Sequence, residues 1–355
     1  MRTIALFLPN WIGDVVMATP AIRAVRDHFP QARLLAVSKP YVADTVAGSP
    51  WFDDLIPFDK SGPRHRRFRF VLNRLADEKL DAAVLFPNSF RPALLARLAG
   101  SRYIVGYARY FRDALLTRRL YATRGNDGRP KPTPVLDDYN RLVEQLGVPN
   151  PGRRMELFTT PADEQAAETF WLRHGLNRVN RVIGLNPGGA FGASKHWPTN
   201  QFAEVAKRFA DQRSTAVVVL CGPAEREEAN RIAEQSGRAN VISLAGSDLS
   251  IGLTKAVVRR LSLLVTTDSG PRHFAAAFGV PVVSLFGPTH IAWTETHFAK
   301  AVHLQNKLPC GPCQQRICPL GHHQCMTSLS ETDVFAASQE LLARFPAGQE
   351  ARRVG

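Results

Sequence analysis

The apolar residues of this chain fall into short runs, and most runs are followed by a longer stretch with helical periodicity. This alternation is typical of parallel β-sheets that are covered by α-helices. The predicted strands are Thr3–Leu8, Arg33–Val37, Asp54–Pro57, Ala82–Phe86, Tyr103–Gly106, Val182–Leu185, Ala216–Leu220, Val241–Ser243, Leu263–Thr267 and Val282–Phe286. The predicted helices are Val15–His28, Arg67–Glu78, Arg91–Leu98, Asp138–Leu146, Asn200–Asp211, Glu225–Gln235, Leu253–Arg260 and Pro271–Phe278.

The same strand and helix pattern occurs twice, which predicts two α/β domains of similar architecture. At 355 residues the chain is also too long for one ordinary core. The proline-containing segment Gly147–Arg154 is the candidate linker, so we expect an N-terminal domain over 1–150 and a C-terminal domain over 151–345. Ligands of such sheets bind beyond the carboxyl ends of the strands, so both sets of loops would face a central cleft.

The net charge of the chain indicates which classes of binding partner to expect. Lysine and arginine number 45 against 31 acidic residues, which gives a net charge of +14. This excess favours nucleic acid, a phosphorylated small molecule or an acidic membrane surface, although a solvated basic surface would look the same. No apolar run approaches the roughly 20 residues that span a bilayer, and the N-terminus is too short for a signal-peptide core. We therefore expect a cytoplasmic protein.

The segment Asp268–His273 joins a predicted strand to a predicted helix and has the composition of an anion site. Ser269 is a candidate helix cap, and Gly270 lets the backbone approach a ligand. The N–H groups at the start of a helix and its positive dipole end attract phosphate, and Arg272 and His273 add further donors. The sequence therefore predicts a diphosphate-binding turn.

The loop after the first strand ends in Gly13 and Asp14, close to the start of a helix. Aspartate is a preferred helix cap, and a cap is the simpler interpretation of Asp14. The alternative is a general base, because Gly13 leaves room for a substrate and Trp11 is unusually apolar for a loop. A carboxylate kept ionised by the helix dipole can accept a proton from an attacking hydroxyl group.

Two loops of the second half carry further candidates. The loop Asn186–Pro198 contains Gly188, Gly189 and Lys195, and it resembles a phosphate-binding loop in composition. It lacks the spacing of a nucleoside triphosphatase P-loop, and no dinucleotide-binding glycine motif follows any predicted strand. Lys195 would act as a point charge on a leaving diphosphate. Glu225, after the next strand, would either cap its helix or accept ribose hydroxyl groups.

Four cysteines lie close together near the C-terminus: Cys310, Cys313, Cys318 and Cys325. Their spacing suits a structural zinc site or a pair of disulfides, and a cytoplasmic location disfavours the disulfides. Free thiols packed under a loop remain an alternative.

Four segments, taken together and in order, resemble glycosyltransferase family nine, the ADP-heptose:lipopolysaccharide heptosyltransferases. They are Asn10–Asp14, the loop of Gly188 and Lys195, Thr267–His273 and Phe286–Thr289. The similarity extends over nearly the whole chain. The segments Pro9–Val15 and Cys318–Cys325 resemble the heptosyltransferase II branch more than the heptosyltransferase I branch.

The resemblance implies a GT-B fold, that is, two Rossmann-like domains that face a central cleft. The first domain would bind the acceptor and the second the nucleotide sugar. Asp14 would be the general base, and Lys195 would stabilise the departing ADP. Binding roles are implied for Asn10, Gly13, Gly188, Gly189, Glu225 (with the ribose), Asp268, Ser269, Gly270 and His273.

The resemblance also implies the substrates. We expect inverting transfer of heptose from ADP-heptose to the first heptose of Kdo2–lipid A, without a catalytic cofactor. The reaction would take place on the cytoplasmic face of the inner membrane, whose anionic surface is an expected partner, whereas nucleic acid is not. Two alternatives stay open: a heptosyltransferase I or related enzyme with another acceptor, and a basic nucleotide- or RNA-binding protein.

Overall fold

The chain folds into two units, each built around one six-stranded parallel sheet. The structure, a computed structural model, describes residues 1–125, 128, 131–189 and 191–346. Unit 1 comprises Met1–Phe158 together with Ala292–Thr296, and unit 2 comprises Thr159–Ile291 together with the described residues from His297 onward. The division after Phe158 falls somewhat later in the chain than the predicted linker.

The sheet of unit 1 has the strand order β3-β2-β1-β4-β5-β6. This is the order of a Rossmann domain. Its strands are β1 (Thr3–Phe7), β2 (Arg33–Ser38), β3 (Asp54–Pro57), β4 (Ala82–Leu85), β5 (Tyr103–Tyr107) and β6 (Arg118–Leu120). Its helices are α1 (Ile12–His28), α2 (Pro40–Val46), α3 (Phe68–Asp77), α4 (Phe90–Leu98) and α5 (Val135–Glu144).

The sheet of unit 2 repeats this topology, because its order is β12-β11-β10-β7-β8-β9. The strands are β7 (Arg181–Asn186), β8 (Thr215–Val219), β9 (Val241–Ser243), β10 (Leu263–Thr267), β11 (Val282–Phe286) and β12 (Ala301–Gln305). The helices from this part of the chain are α6 (Pro161–Arg173), α7 (Thr199–Ala210), α8 (Arg226–Ser236), α9 (Ile251–Arg259), α10 (Gly270–Ala277), α11 (Ile291–Thr294), α12 (Gln324–Thr327) and α13 (Glu331–Arg344).

The central strands are buried along their whole length, which explains why they read as continuous apolar runs. Every residue of β1, β4, β8 and β10 is buried. A parallel sheet is covered by helices on both faces, so alternation between apolar and polar residues is lost there. The predicted α/β class with two Rossmann-like domains is confirmed.

The elements that the sequence pattern missed lie at sheet edges or among helices without a strong apolar stripe. Strand β6 has only three residues, two of them arginine, and β12 is half-buried throughout. Helix α6 was missed although its start carries a capping box, in which Thr160 accepts from the Asp163 N–H and Asp163 accepts from the Thr160 N–H. An edge strand needs less apolar surface than a central one, so its composition gives a weaker signal.

Candidate active site

Two loops of unit 2 leave the sheet from neighbouring points. Strands β7 and β10 are paired, with Asn186 opposite Thr266. The Asn186 side-chain amide donates to the Thr266 hydroxyl at 3.0 Å and to the Ser269 hydroxyl at 2.9 Å. The Thr267 hydroxyl donates to the Gly188 carbonyl at 2.8 Å. These bonds hold the glycine-rich loop and the predicted diphosphate turn together at the carboxyl edge of the sheet.

Ser269 precedes helix α10, but its side chain does not cap the helix as predicted. Its hydroxyl instead contacts Asn186 and Thr266. The prediction was wrong because these two polar side chains at the strand ends compete successfully for the hydroxyl. The first N–H groups of a helix have no partner within the helix, so a start without a side-chain cap suits an anion.

Lys195 is held by a buried carboxylate. Its Nζ lies 2.6 Å from Asp268 Oδ2 and donates to the Asp268 carbonyl at 3.0 Å. Asp268 also pairs with Arg272 at 3.2 Å and accepts from the Thr289 hydroxyl at 2.9 Å. Burial alone would raise the pKa of Asp268, but the attraction of Lys195 and Arg272 outweighs it and lowers the pKa to about 2. Asp268 therefore acts as the counterion of two cations within the turn for which the family resemblance implies diphosphate binding, and that binding role stays a prediction.

His273 does not have the charge that a phosphate-binding cation would need. The side chain is buried, and its Nδ1 has no hydrogen-bond partner among the described residues. Burial, followed by the nearby charge of Arg272, lowers the pKa of His273 well below its ordinary value. The imidazole is therefore neutral near pH 7, and it could offer a ligand one hydrogen bond but no positive charge.

Glu225 connects two glycine-containing loops. One carboxylate oxygen accepts from the Gly222 N–H at 2.8 Å, and the other accepts from the Gly189 N–H at 3.1 Å. A Cβ atom at Gly188 would lie only 2.2 Å from this carboxylate, so a larger residue there would displace the Glu225 side chain. Glu225 occupies the cap position of α8, but its side chain makes no capping bond to that helix, so the capping prediction was wrong. Its carboxylate still has lone pairs for a hydroxyl donor, and the ribose contact stays a prediction.

A cavity of about 520 Å³ lies beside Glu225 within unit 2. Its walls include the carboxylates of Glu225, Glu227 and Glu228 and the side chains of His196 and Arg231. Carboxylates accept hydrogen bonds from hydroxyl groups but repel phosphate. The cavity therefore suits a polyhydroxylated group, such as a sugar, better than an anion.

Residues 310–325, which contain the four C-terminal cysteines and are here called the cysteine-rich segment, support the loop that carries Lys195. The Ser194 N–H donates to the Arg316 carbonyl at 3.1 Å, and the Ser194 hydroxyl donates to the Gln315 carbonyl at 2.6 Å. His323 Nε2 lies 2.8 Å from the Ser194 carbonyl oxygen. Sequence reasoning missed these residues, because main-chain contacts between distant segments leave no pattern in the sequence.

The four C-terminal cysteines are free thiols. Burial, and then the neighbouring Cys313, Cys318 and Cys310, raise the pKa of Cys325, so the four lie near one another. Within the described part of the chain, however, no three cysteine, histidine or acidic side chains form a group that could hold a metal ion. The arrangement does not fit a closed zinc site, and structural zinc stays a prediction.

In unit 1, Asp14 lies in the first turn of α1, which begins at Ile12. The cap position is occupied by Trp11, whose side chain makes no capping bond. Asp14 is half-buried, and the Asn10 carbonyl nearby accepts from the Tyr41 hydroxyl at 2.5 Å. The structure thus places Asn10 just before α1 and Gly13 and Asp14 in its first turn, at the carboxyl edge of the sheet, and Asp14 is not the helix cap.

Sequence reasoning also missed a group of titratable side chains near Asp14. Burial, followed by the charge of Asp14, raises the pKa of Tyr139 well above its ordinary value. Tyr107 donates to the Asp138 carboxylate at 3.0 Å, and burial raises the pKa of Asp138. A helix and a strand far apart in sequence bring these residues together, so their spacing along the chain gave no signal.

A comparison with known families gives this geometry a context. The sequence model described as glycosyltransferase family 9 (heptosyltransferase) matches residues 68–324. This chain belongs to glycosyltransferase family 9. The predicted family is therefore confirmed, and the chain is a glycosyltransferase.

Similar proteins cover nearly the whole chain. Lipooligosaccharide heptosyltransferase 2 of Campylobacter jejuni (serotype O:2) is 27% identical over 96% of this chain and 98% of its own length. Lipopolysaccharide heptosyltransferase 2 of Escherichia coli K12 is 26% identical over 94% of this chain and 97% of its own. The crystal structure of a family 9 glycosyl transferase from Veillonella parvula has a TM-score of 0.83, at 24% identity over 97% of this chain and 98% of that one. The last of these similarities supports the fold alone.

The packing of the family 9 glycine-rich loop predicts different effects for two of its glycines. Gly192 has φ +154°, and a Cβ atom there would lie 2.4 Å from the Arg316 carbonyl oxygen. At Gly189 the nearest atoms would be 3.6 Å away. We expect Gly192→Ala to reduce the free energy of unfolding by about 1–3 kcal/mol, and Gly189→Ala to have little effect. Thermal unfolding of both variants measures this, and equal unfolding midpoints would contradict the proposed packing.

The buried ion pairs predict a variant whose loss of stability depends on pH. Asp268→Asn leaves Lys195 and Arg272 buried without their counterion, which should destabilise unit 2 by about 3–5 kcal/mol at neutral pH. The pKa of Asp268 is depressed in the folded state, so its contribution is complete above its ordinary pKa of 3.8 and is lost as the pH falls towards about 2. The stability difference from the wild type should therefore shrink over this range.

The matched control for that experiment is Asp211→Asn, which breaks an exposed pair with Arg238. Exposed pairs are screened by solvent, so this variant should change stability far less. Denaturant titrations of the three proteins between pH 2 and pH 7 make the comparison. A stability difference for Asp268→Asn that stays constant over the whole range would show that its carboxylate is not the ionised partner.

Proposed function

We propose that this family 9 enzyme is a heptosyltransferase II. It would move L-glycero-D-manno-heptose from ADP-heptose to the first heptose of Kdo2–lipid A, with inversion at the anomeric carbon. The observation that carries this proposal is Lys195, fixed by Asp268 beside the start of α10, which lacks a side-chain cap. The names of the similar proteins from C. jejuni and E. coli support the choice of substrates.

The donor half of the proposed site stabilises a leaving ADP. Negative charge develops on the diphosphate as its bond to the sugar breaks. Lys195 supplies a positive charge at a fixed point, and the first N–H groups of α10 supply hydrogen bonds. These groups can stabilise the leaving group without a catalytic divalent ion, which is the mechanism that we propose. The polar cavity beside Glu225 is suited to the hydroxyl groups of the donor.

The acceptor half supplies the base. In a single displacement, the acceptor hydroxyl oxygen bonds to the anomeric carbon while the bond between that carbon and the ADP oxygen breaks. The hydroxyl proton goes to the Asp14 carboxylate. One carboxylate is sufficient, because no covalent sugar–enzyme intermediate forms. Asp14 lies in the first turn of α1, at the positive end of the helix dipole.

The same proposal includes a place of action. Among the described helices, none has both the length and the apolar composition that crossing a bilayer requires. A net charge of +14 is complementary to an anionic lipid surface. We propose that the enzyme acts peripherally on the cytoplasmic face of the inner membrane, where a lipid acceptor would be exposed.

Replacing the proposed base tests its effect on turnover separately from its effect on donor binding. Asp14→Asn removes the proton acceptor but keeps the size of the side chain, so turnover should fall by about a hundredfold or more. The affinity for ADP-heptose should stay nearly unchanged, because the donor is proposed to bind unit 2. The measurements are steady-state kinetics and calorimetric titration of the donor.

The control for this variant is Asp27→Asn, an exposed position near the other end of the same helix. It should retain the turnover of the wild type. If Asp14→Asn also kept most of its turnover, Asp14 would not be the base.

The acceptor is identified by offering two lipids. The enzyme should extend Kdo2–lipid A that carries one heptose and leave the heptose-free lipid unchanged, and mass spectrometry of the products shows which has gained a heptose. Extension of the heptose-free lipid would instead indicate a heptosyltransferase I activity. Transfer to neither lipid would point to another acceptor in the same family.

A further inference from the structure

Two adjacent aromatic rings project from unit 1 into solvent. Tyr110 is 69% exposed and Phe111 is 99% exposed, so the Phe111 ring packs against almost nothing in the described part of the chain. They lie in the loop after β5, at the same edge of the sheet as Asp14 at the start of α1. Single exposed apolar residues are common, but a fully exposed phenylalanine next to an exposed tyrosine suggests an interaction surface.

The backbone holds this pair, here called the aromatic tip, in an unfavourable conformation. Tyr110 has φ +54° and Phe111 has φ +58°, so two consecutive bulky residues adopt the left-handed region. That region is uncommon for residues other than glycine and persists only where the surrounding structure fixes it. The surrounding structure must therefore hold the tip in this turn conformation.

Arg112 fixes the turn from inside. It follows the aromatic tip directly and is completely buried. Its guanidinium donates to the Tyr107 carbonyl at 2.9 Å and to the Pro87 carbonyl at 2.6 Å. It also donates to the Ser89 carbonyl at 3.1 Å and to the Asn88 side chain at 3.1 Å. One buried cation thus connects the loop of the tip to the loop after β4.

Helix α4, which begins directly after this second loop, brings further residues of the same chemistry. Phe90 directly follows Ser89 and is 44% exposed, and Arg91 beside it is exposed. Arg109 directly precedes the tip and is half-buried, and Arg119 lies on the neighbouring strand β6, opposite Gly106, and is exposed. The aromatic rings are therefore flanked by cations on a chain that is strongly basic as a whole.

The small area of the tip favours a lipid surface over a protein as its binding partner. An aromatic side chain buries about 150–250 Å², so Tyr110 and Phe111 together could bury at most about 500 Å². A stable protein interface needs about 800 Å² from each partner. Aromatic rings flanked by arginine match the interface of an anionic bilayer, where rings enter the headgroup region and cations meet phosphates.

We propose that the aromatic tip docks unit 1 on an anionic phospholipid bilayer. The choice of a bilayer rests in part on the proposed lipid acceptor. The tip takes no part in the proposed chemistry and serves only to hold the enzyme at the surface where that acceptor lies.

The test uses the full-length enzyme with vesicles of phosphatidylethanolamine and phosphatidylglycerol. The double variant Tyr110→Asn, Phe111→Asn removes both rings, and asparagine tolerates the left-handed backbone, so the fold should be retained. The variant should bind the vesicles about tenfold or more weakly in a sedimentation assay. Binding of the wild type should also fall when phosphatidylcholine replaces the anionic lipid.

The matched control is Leu98→Asn. Leu98 is 55% exposed and lies at the opposite end of α4 from Phe90. Its replacement therefore removes exposed apolar area at a position away from the tip. This control should bind vesicles like the wild type. The double variant should also transfer heptose normally to an acceptor from which the acyl chains have been removed.

Three results would overturn the proposal. They are vesicle binding by the double variant that equals the wild type, an equal loss of transfer to the deacylated acceptor, and a wild-type dimer that the double variant lacks. The second would show that the rings contact the sugar, and the third would show that they meet a second copy of the chain. Vesicle binding needs neither donor nor acceptor, so it decides the docking even if the proposed transfer is not observed.

Discussion

The candidate donor site depends on one buried carboxylate. Asp268 joins the end of β10 to Lys195 on the loop after β7 and to Arg272 on α10. Burying a charge is unfavourable unless it is paired and hydrogen-bonded, and here the Thr289 hydroxyl and both cations satisfy the carboxylate. Three structural elements are thus fixed relative to one another by a single side chain. The arrangement suits catalysis, because a cation that is already in place does not need to be reorganised when charge develops on a leaving group.

The loop of Lys195 also needs support on its outer side. Gly192 passes so close to the Arg316 carbonyl that no larger residue fits, and Ser194 bonds to the same segment. The main chain of the cysteine-rich segment therefore has a structural role, because it supports the loop that carries Lys195. This explains why a segment far from the sequence motifs of the donor site is nevertheless part of its construction.

Much of the fold could be predicted from the sequence, because the central strands are buried on both faces and leave continuous apolar runs. Strand β10 is a good example, since all five of its residues are buried and its bounds were predicted correctly. The edge strand β12 is half-buried and left no such run. In the candidate site, the sequence located the loops, because glycine, aspartate and lysine after a strand are unusual. It could not assign the partners within them. Ser269 bonds to Asn186 across two paired strands, and His273 loses its charge through burial, and neither effect can be read from residue type alone.

The two units share one topology but use their buried charged side chains differently. In unit 2 the charged side chains of the candidate site are buried and paired, so the site is shaped before a ligand arrives. In unit 1 the buried arginine, Arg112, bonds to carbonyl oxygens and an amide and supports loops whose aromatic rings are exposed. Desolvation lowers the pKa of Arg112 to about 10, yet it stays charged at neutral pH and can hold several acceptors at once. Under the proposed function, unit 2 binds a small nucleotide sugar, for which a rigid site is favourable, whereas unit 1 reaches a lipid acceptor at a membrane surface. Burying the guanidinium beneath the tip leaves the two aromatic rings exposed, and these rings are the groups that we propose to meet the membrane.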